Sequence, residues 1–240
     1  MTQQYALITG ASSGIGKAVA QYLAKENYHL ILIARNLKKL EKTKNELAKI
    51  NHQIDIQIHS IDLSNLEESY RKVTNIINSI EELAVTFNNA GIARYDTSET
   101  SLDDFKALMD TNVNGMFAVA KASALKMKKQ NSGYIINLSS AAGIRAYPRA
   151  GSYAASKFAV VGFSQALMKE MANYKVKVTS ICPSAIDTDM TKNFQLDNKE
   201  KLKTNDIVKT VDYLLNLGET AIIDHIVIEV RELIKDTTVL

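Results

Sequence analysis

Tyr153 and Lys157 stand four residues apart in the stretch GSYAASKFAVVGF. On a helix that spacing puts both side chains on one face. A tyrosine ordinarily releases its proton near pH ~10. A neighbouring ammonium favours the phenolate, so the pair could pass a proton to or from an alcohol or carbonyl oxygen. The same spacing also fits a pair on a plain surface helix. Upstream, INLSSAAG ends an apolar run with Ser139 and Ser140, whose hydroxyls could hold a substrate oxygen. FNNAG closes another apolar run with Asn89, Ala90 and Gly91. DTNVNG carries Asn112 inside a long, mostly apolar helical pattern. An amide there is costly unless its hydrogen bonds are made.

A second group of residues could hold a ligand. TGASSGIG, residues 9–16, follows the first apolar run and carries Gly10, Gly14 and Gly16. Glycines between a strand and a helix let the backbone approach a pyrophosphate, and the helix start offers unpaired N–H groups and partial positive charge. A dinucleotide is the expected ligand, although a simple turn also uses glycine. A free ribose 2′-hydroxyl is usually held by an acid about 20 residues past such glycines. This chain has Arg35 and then Asn36. A guanidinium matches phosphate geometry, so NADP(H) is preferred over NAD(H), which stays possible. The alternative is an arginine that only faces solvent.

These residues need elements to position them. Strand candidates are 5–9, 30–34, 54–61, 84–88, 134–138, 177–182 and 222–229. Continuous apolar runs such as LILIA suit strands covered on both faces. The third run alternates at Ile54, Ile56 and Ile58, which suggests a sheet edge. Helical patterns span 14–27, a long apolar stretch at 102–129, 153–173 and 205–218. Another follows a capping box of Ser64 with Glu67. The 205–218 helix has Asn205 or Asp206 as its cap. Strands alternating with helices make βαβ units. The expected class is α/β: a Rossmann-like doubly wound parallel sheet of about seven strands with helices on both faces. No repeat or linker divides the chain, so 1–240 reads as one domain.

Composition narrows the function classes. With 29 basic and 26 acidic side chains the net charge is only +3, which argues against nucleic acid or a membrane surface as partner. KKLEKTKNE, 38–46, reads as a solvated helix face. Cys182 is the single cysteine and is expected to pack as a small buried hydrophobe. No stretch reaches the roughly 18 apolar residues of a membrane helix, and MTQQYALITG has no basic segment before its apolar run. A cytoplasmic protein is expected, and no metal site is.

The motifs T-G-x-x-x-G-I-G, N-N-A-G, an Asn-bearing helix, a strand-end Ser and Y-x-x-x-K occur in one order along nearly the whole chain. In this the chain resembles the short-chain dehydrogenases/reductases of the roughly 250-residue type. The resemblance implies that Tyr153 is the general acid/base, while Lys157 lowers its pKa and holds the nicotinamide ribose. It implies that Ser140 orients the substrate oxygen and that Asn112 holds a water linked to Lys157. Cofactor contacts are implied for Gly10, Ser12, Ser13, Gly14, Ile15, Gly16, Arg35, Asp62, Leu63, Asn89, Ala90, Gly91, Tyr153, Lys157, Pro183, Ile186 and Thr188. Asp62 would sit near the adenine, with helix capping as its alternative. Ser184 stands where the family often has glycine, and the C-terminal stretch lacks the family's glycine-rich ending. Helix-to-helix homodimers or homotetramers are also implied.

The leading expectation is an NADPH-dependent carbonyl reductase or alcohol dehydrogenase acting on a small molecule. A non-catalytic NADP(H)-binding redox sensor and a sugar-nucleotide epimerase are the alternatives. Ile92, Arg94, residues 141–147 and a flexible lid after Thr188, with Met190, Phe194 and Leu196, are expected to line the substrate pocket. A small hydroxy acid, a β-ketoacyl thioester and a xenobiotic ketone all stay open as substrates. Arg94 or Arg145 would meet an anionic group or simply face solvent.

Overall fold

The structure, a computed structural model, describes residues 3–235. The last five residues of the C-terminal stretch and the first two of the N-terminal one lie outside the described residues. Seven parallel strands form one sheet: β1 (Gln4–Thr9), β2 (His29–Ala34), β3 (Ile56–Ser60), β4 (Glu82–Asn88), β5 (Gly133–Leu138), β6 (Val176–Pro183) and β7 (His225–Ile228). Their spatial order is β3-β2-β1-β4-β5-β6-β7. β3 lies at one edge, as its alternating isoleucines suggested. The order reverses between β1 and β4, and such a switch point opens a crevice at the carboxyl ends of the strands.

The helices are α1 (Gly14–Lys25), α2 (Leu37–Ile50), α3 (Leu66–Asn78), α4 (Leu102–Leu108), α5 (Met116–Gln130), α6 (Gly151–Met171), α7 (Thr204–Leu215) and α8 (Arg231–Lys235). Successive strand residues point to opposite faces. Ala6 and Ile8 of β1 therefore pack with Val19 and Leu23 of α1, Leu40 of α2 and Val211 of α7. Tyr5 and Leu7 pack on the other face with Val73 of α3, Val119 of α5 and Val160 of α6. The covered faces explain why β1 and β2 read as continuous apolar runs.

Some local expectations are corrected. α3 is capped by Asn65, whose Oδ1 accepts from Glu68 N–H at 3.1 Å, while Ser64 is turned to Asp62. α7 begins at Thr204 rather than Asn205 or Asp206. Asp206 sits in its first turn and accepts from Lys203 N–H at 2.7 Å. α7 also ends at Leu215, before Gly218. For α3 a polar side chain one place away reaches the orphan N–H groups equally well, and packing chooses the register. The expected continuous helix over 102–129 is interrupted by a π-helical stretch, Met109–Gly115, between α4 and α5. A Cβ on Gly115 would lie 2.7 Å from the Leu63 carbonyl oxygen, so only glycine lets the chain pass that close.

Candidate active site

A cavity of about 1500 Å³ opens at the carboxyl ends of the strands. It is lined by every residue expected to be catalytic or to touch the cofactor except Gly16 and Asn112. The glycine turn forms one wall. Gly14 has φ +51°, a conformation L side chains rarely adopt. Gly16 lies behind the wall, where a Cβ would stand 2.5 Å from the Gly10 carbonyl oxygen, so the α1 start packs tightly on the turn. Ser13 is the N-cap of α1, but its side chain makes no capping bond, and no acid lies in the first turn. The first N–H groups of α1 thus stay available to an anion.

Asn89 braces the opposite side of the switch point. Its Nδ2 donates to the Thr9 carbonyl at 2.9 Å, and Thr9 Oγ1 accepts from Asn89 N–H at 2.9 Å and Ala90 N–H at 3.0 Å. The end of β4 is thereby strapped to the end of β1. Ala90, Gly91 and Ile92 line the cavity beyond this strap.

Beside β2, Arg35 and Lys39 line the cavity together. Asn36 caps α2 by accepting from Lys39 N–H at 3.0 Å, which places Lys39 one turn into the helix. Lys39 was hidden in the run read as a solvated face, and its signal was its four-residue spacing from Arg35. Asp62 also reaches the cavity, and its carboxylate accepts from Ser64 N–H at 3.1 Å and Ser64 Oγ at 2.9 Å.

At the other end α6 presents Tyr153 and Lys157, both buried. Lys157 Nζ donates to the Leu138 carbonyl at 3.1 Å and lies 5.7 Å from the centre of the Tyr153 ring. Burial pushes its ammonium down to about 8. Burial, then the nearby Tyr95, hold the Tyr153 hydroxyl above its ordinary range, and a hydrogen bond with Ser140 pulls the other way. The depression expected from the lysine spacing is therefore not what dominates here. Burial disfavours the phenolate more strongly. Ser140 Oγ also accepts from Ala142 N–H at 3.2 Å and faces the Pro183 carbonyl at 3.4 Å. Ser139 is engaged elsewhere, donating to the Lys157 carbonyl at 2.9 Å. Cys182 is buried and its thiol is pushed up to about 11 by burial, as suits a packing residue. Ser184 does not have the positive φ that would demand glycine, and its Oγ accepts from Ala185 N–H at 2.7 Å.

The loop after Thr188 is tied to itself through a buried lysine. Lys201 is 3% exposed, and its ammonium donates to the Thr191 carbonyl at 2.7 Å and Asn198 Oδ1 at 2.9 Å. Met190 and Phe194 line the cavity, whereas Leu196, Arg94 and Arg145 do not. Tyr95, Tyr147 and Leu233 join them from three other elements or loops. Among the described residues no helix is long and apolar enough to cross a membrane, and no cluster of three or more metal-ligating side chains occurs.

The chain matches the short chain dehydrogenase family over residues 4–199. It is 33% identical over 216 residues to an uncharacterized oxidoreductase of Staphylococcus aureus strain MRSA252, covering 90% of this chain and 92% of that one. The fold superposes on a β-ketoacyl-[ACP] reductase from Bacteroides thetaiotaomicron with TM-score 0.85 and 30% identity, covering 98% and 100% of the two chains. It superposes on an alcohol dehydrogenase from the archaeon Thermococcus sibiricus, complexed with 5-hydroxy-NADP, with TM-score 0.86 and 27% identity over 95% and 97%. The family match over residues 4–199 and the near-complete coverage of these relatives agree: the chain is an oxidoreductase that belongs to the short chain dehydrogenase family.

Proposed function

We propose that the protein is an NADP(H)-dependent oxidoreductase that interconverts a carbonyl compound and the corresponding alcohol. The observation that carries this reading is a convergence: Ser140, Tyr153 and Lys157 face the same cavity as the uncapped α1 start and Arg35. A nicotinamide dinucleotide, when bound, supplies or accepts the hydride.

The residues of this chain fit such a cofactor. The α1 N–H groups would hold its pyrophosphate, and the Gly14 turn leaves room for it. Arg35 and Lys39 would hold a 2′-phosphate with two cations, which favours NADP(H) over NAD(H). Asp62 and Leu63 would border the adenine, and Asn89, Ala90 and Gly91 the ribose. Pro183, Ile186 and Thr188 would border the nicotinamide amide. Lys157 would hold the nicotinamide ribose. In the reducing direction Ser140 would donate a hydrogen bond to the substrate oxygen, and Tyr153 would protonate it.

Leu125 on α5 and Phe158 on α6 leave apolar surface exposed, which supports a homodimer or homotetramer. A monomer in light scattering would refute that assembly. The catalytic reading is tested by NADPH oxidation against aldehydes, ketones and keto esters, with Tyr153→Phe beside the parent. Substrate-dependent oxidation that vanishes in the variant is expected. NADPH binding without turnover of any carbonyl would favour the non-catalytic sensor.

A further inference from the structure

We infer that the acceptor end of the cavity selects an uncharged, apolar ketone and rejects keto acids and other anionic carbonyl compounds. This rests on the reading of Tyr153 as the proton donor of a carbonyl reductase, and it names the substrate class of that site.

The wall that faces Tyr153 is aromatic. The Tyr95 ring lies 5.7 Å from the Tyr153 ring and 5.3 Å from the Phe194 ring, edge-on to the latter. Tyr95 thus ties the catalytic helix to the loop after β6. Tyr147, Met190 and Leu233 line the same cavity, and each leaves at least 40% of its surface exposed. Large apolar side chains converging on a concave surface fit an apolar body.

The charges point the same way. Arg149 is the arginine that lines this end; its side chain is 82% exposed, and its Nε stands 3.7 Å from Asp96, too far for a hydrogen bond. Arg94 pairs with Asp104 at 3.0 Å, and Arg145 with Glu229. Both lie outside the cavity wall. Besides Asp62 at the far end, two carboxylates, Asp187 and Asp189, line the cavity, and Asp187 is matched by Lys203 at 3.0 Å. Lys157 Nζ is turned to the Leu138 carbonyl. Exposed ion pairs are weak singly, so they alone would not bar an anion. What an anion meets at this end is one solvent-facing guanidinium already beside Asp96 and two carboxylates, while it must lose water against an apolar wall.

The test compares carbonyl compounds that differ only in charge, with NADPH as reductant: methyl benzoylformate against benzoylformate, and methyl 4-acetylbenzoate against 4-acetylbenzoate. The expected kcat/KM is at least about 30-fold higher for each ester. Phe194→Ala should raise KM for the esters more than it lowers kcat. Leu233→Arg, which adds an unpaired cation at an exposed position, should raise kcat/KM for the acids about tenfold and narrow the ratio. Acids reduced as well as esters by the parent protein would overturn the selection while leaving the reductase reading intact. No turnover of any of the four would overturn the reductase reading, and the inference with it.

Discussion

Asn112 and Ile92 are joined twice. The Ile92 N–H donates to Asn112 Oδ1 at 2.8 Å, and Asn112 Nδ2 donates to the Ile92 carbonyl at 2.9 Å. Nδ2 also donates to Ser156 Oγ at 3.1 Å, and that hydroxyl donates to the Tyr153 carbonyl at 2.7 Å. The π-helical stretch therefore clamps the loop after β4 to the helix that carries Tyr153. A π-turn widens the helix locally, and such turns recur at functional sites.

Asn112→Ala would leave the two Ile92 backbone groups without these partners. We expect a loss of about 2 kcal/mol in unfolding free energy, read by urea titration of the protein without cofactor. A variant as stable as the parent would mean that water replaces the amide at no cost.

Tyr153→Phe removes one oxygen and keeps the packing of the ring. The expected result is a fall in kcat/KM of about 100- to 10,000-fold with NADPH affinity changed less than about twofold. Fluorescence titration of NADPH separates the two quantities. An equal loss of binding and turnover would assign the hydroxyl to cofactor binding instead.

Arg35→Ala should weaken NADPH binding about 10- to 100-fold and leave NADH binding nearly unchanged, since a charge-assisted pair contributes about 1.5–3 kcal/mol. Lys39→Ala should follow with a smaller effect. The check is the ratio of KM values for the two cofactors. Parallel losses for both would show that these cations do not discriminate at the 2′ position.

Stability should depend on pH through Lys157. Burial pushes its pKa down from 10.5 to about 8 in the folded chain. Between those values the unfolded chain binds the extra proton, so unfolding free energy rises with pH. The burial penalty is fully present below the folded value and is lost by the unfolded one. Its size is about 3 kcal/mol, because each unit is worth about 1.4 kcal/mol. Lys157→Met should therefore gain most on its parent near pH 7, and that advantage should shrink by about 2 kcal/mol by pH 10. Paired denaturant curves at the two pH values measure it. A constant difference would mean that the ammonium is not penalised by burial.

Much of the site was legible in the primary structure because its residues act in short, local patterns. Gly10, Gly14 and Gly16 mark a strand-to-helix turn through backbone geometry alone. Tyr153 and Lys157 share a helix face through their spacing. All the residues that the resemblance put in the site line the cavity except Gly16 and Asn112. Lys39 was missed because a helix rich in lysine reads as solvated until the end of β2 is seen to aim its neighbour Arg35 inward. The cap of α3 was misplaced by one residue because Ser64 and Asn65 are chemically interchangeable there, and only the Asp62 turn decides between them.

By itself the amino-acid order determined the alternation of strands and helices, the parallel sheet and the chemical identity of the groups at the strand ends. These follow from apolar periodicity and from residues within one turn of each other. Only the tertiary structure decided how distant segments meet: Tyr95 against Phe194, Leu233 and Tyr147 on one cavity, Asn112 on Ile92, and Arg94, Arg145 and Arg149 each near an acid. Such contacts join segments far apart in the chain, where spacing carries no geometric information. They are set by how helices pack on the two faces of a twisted sheet. That packing brings Tyr95, Phe194, Tyr147 and Leu233 onto one cavity wall.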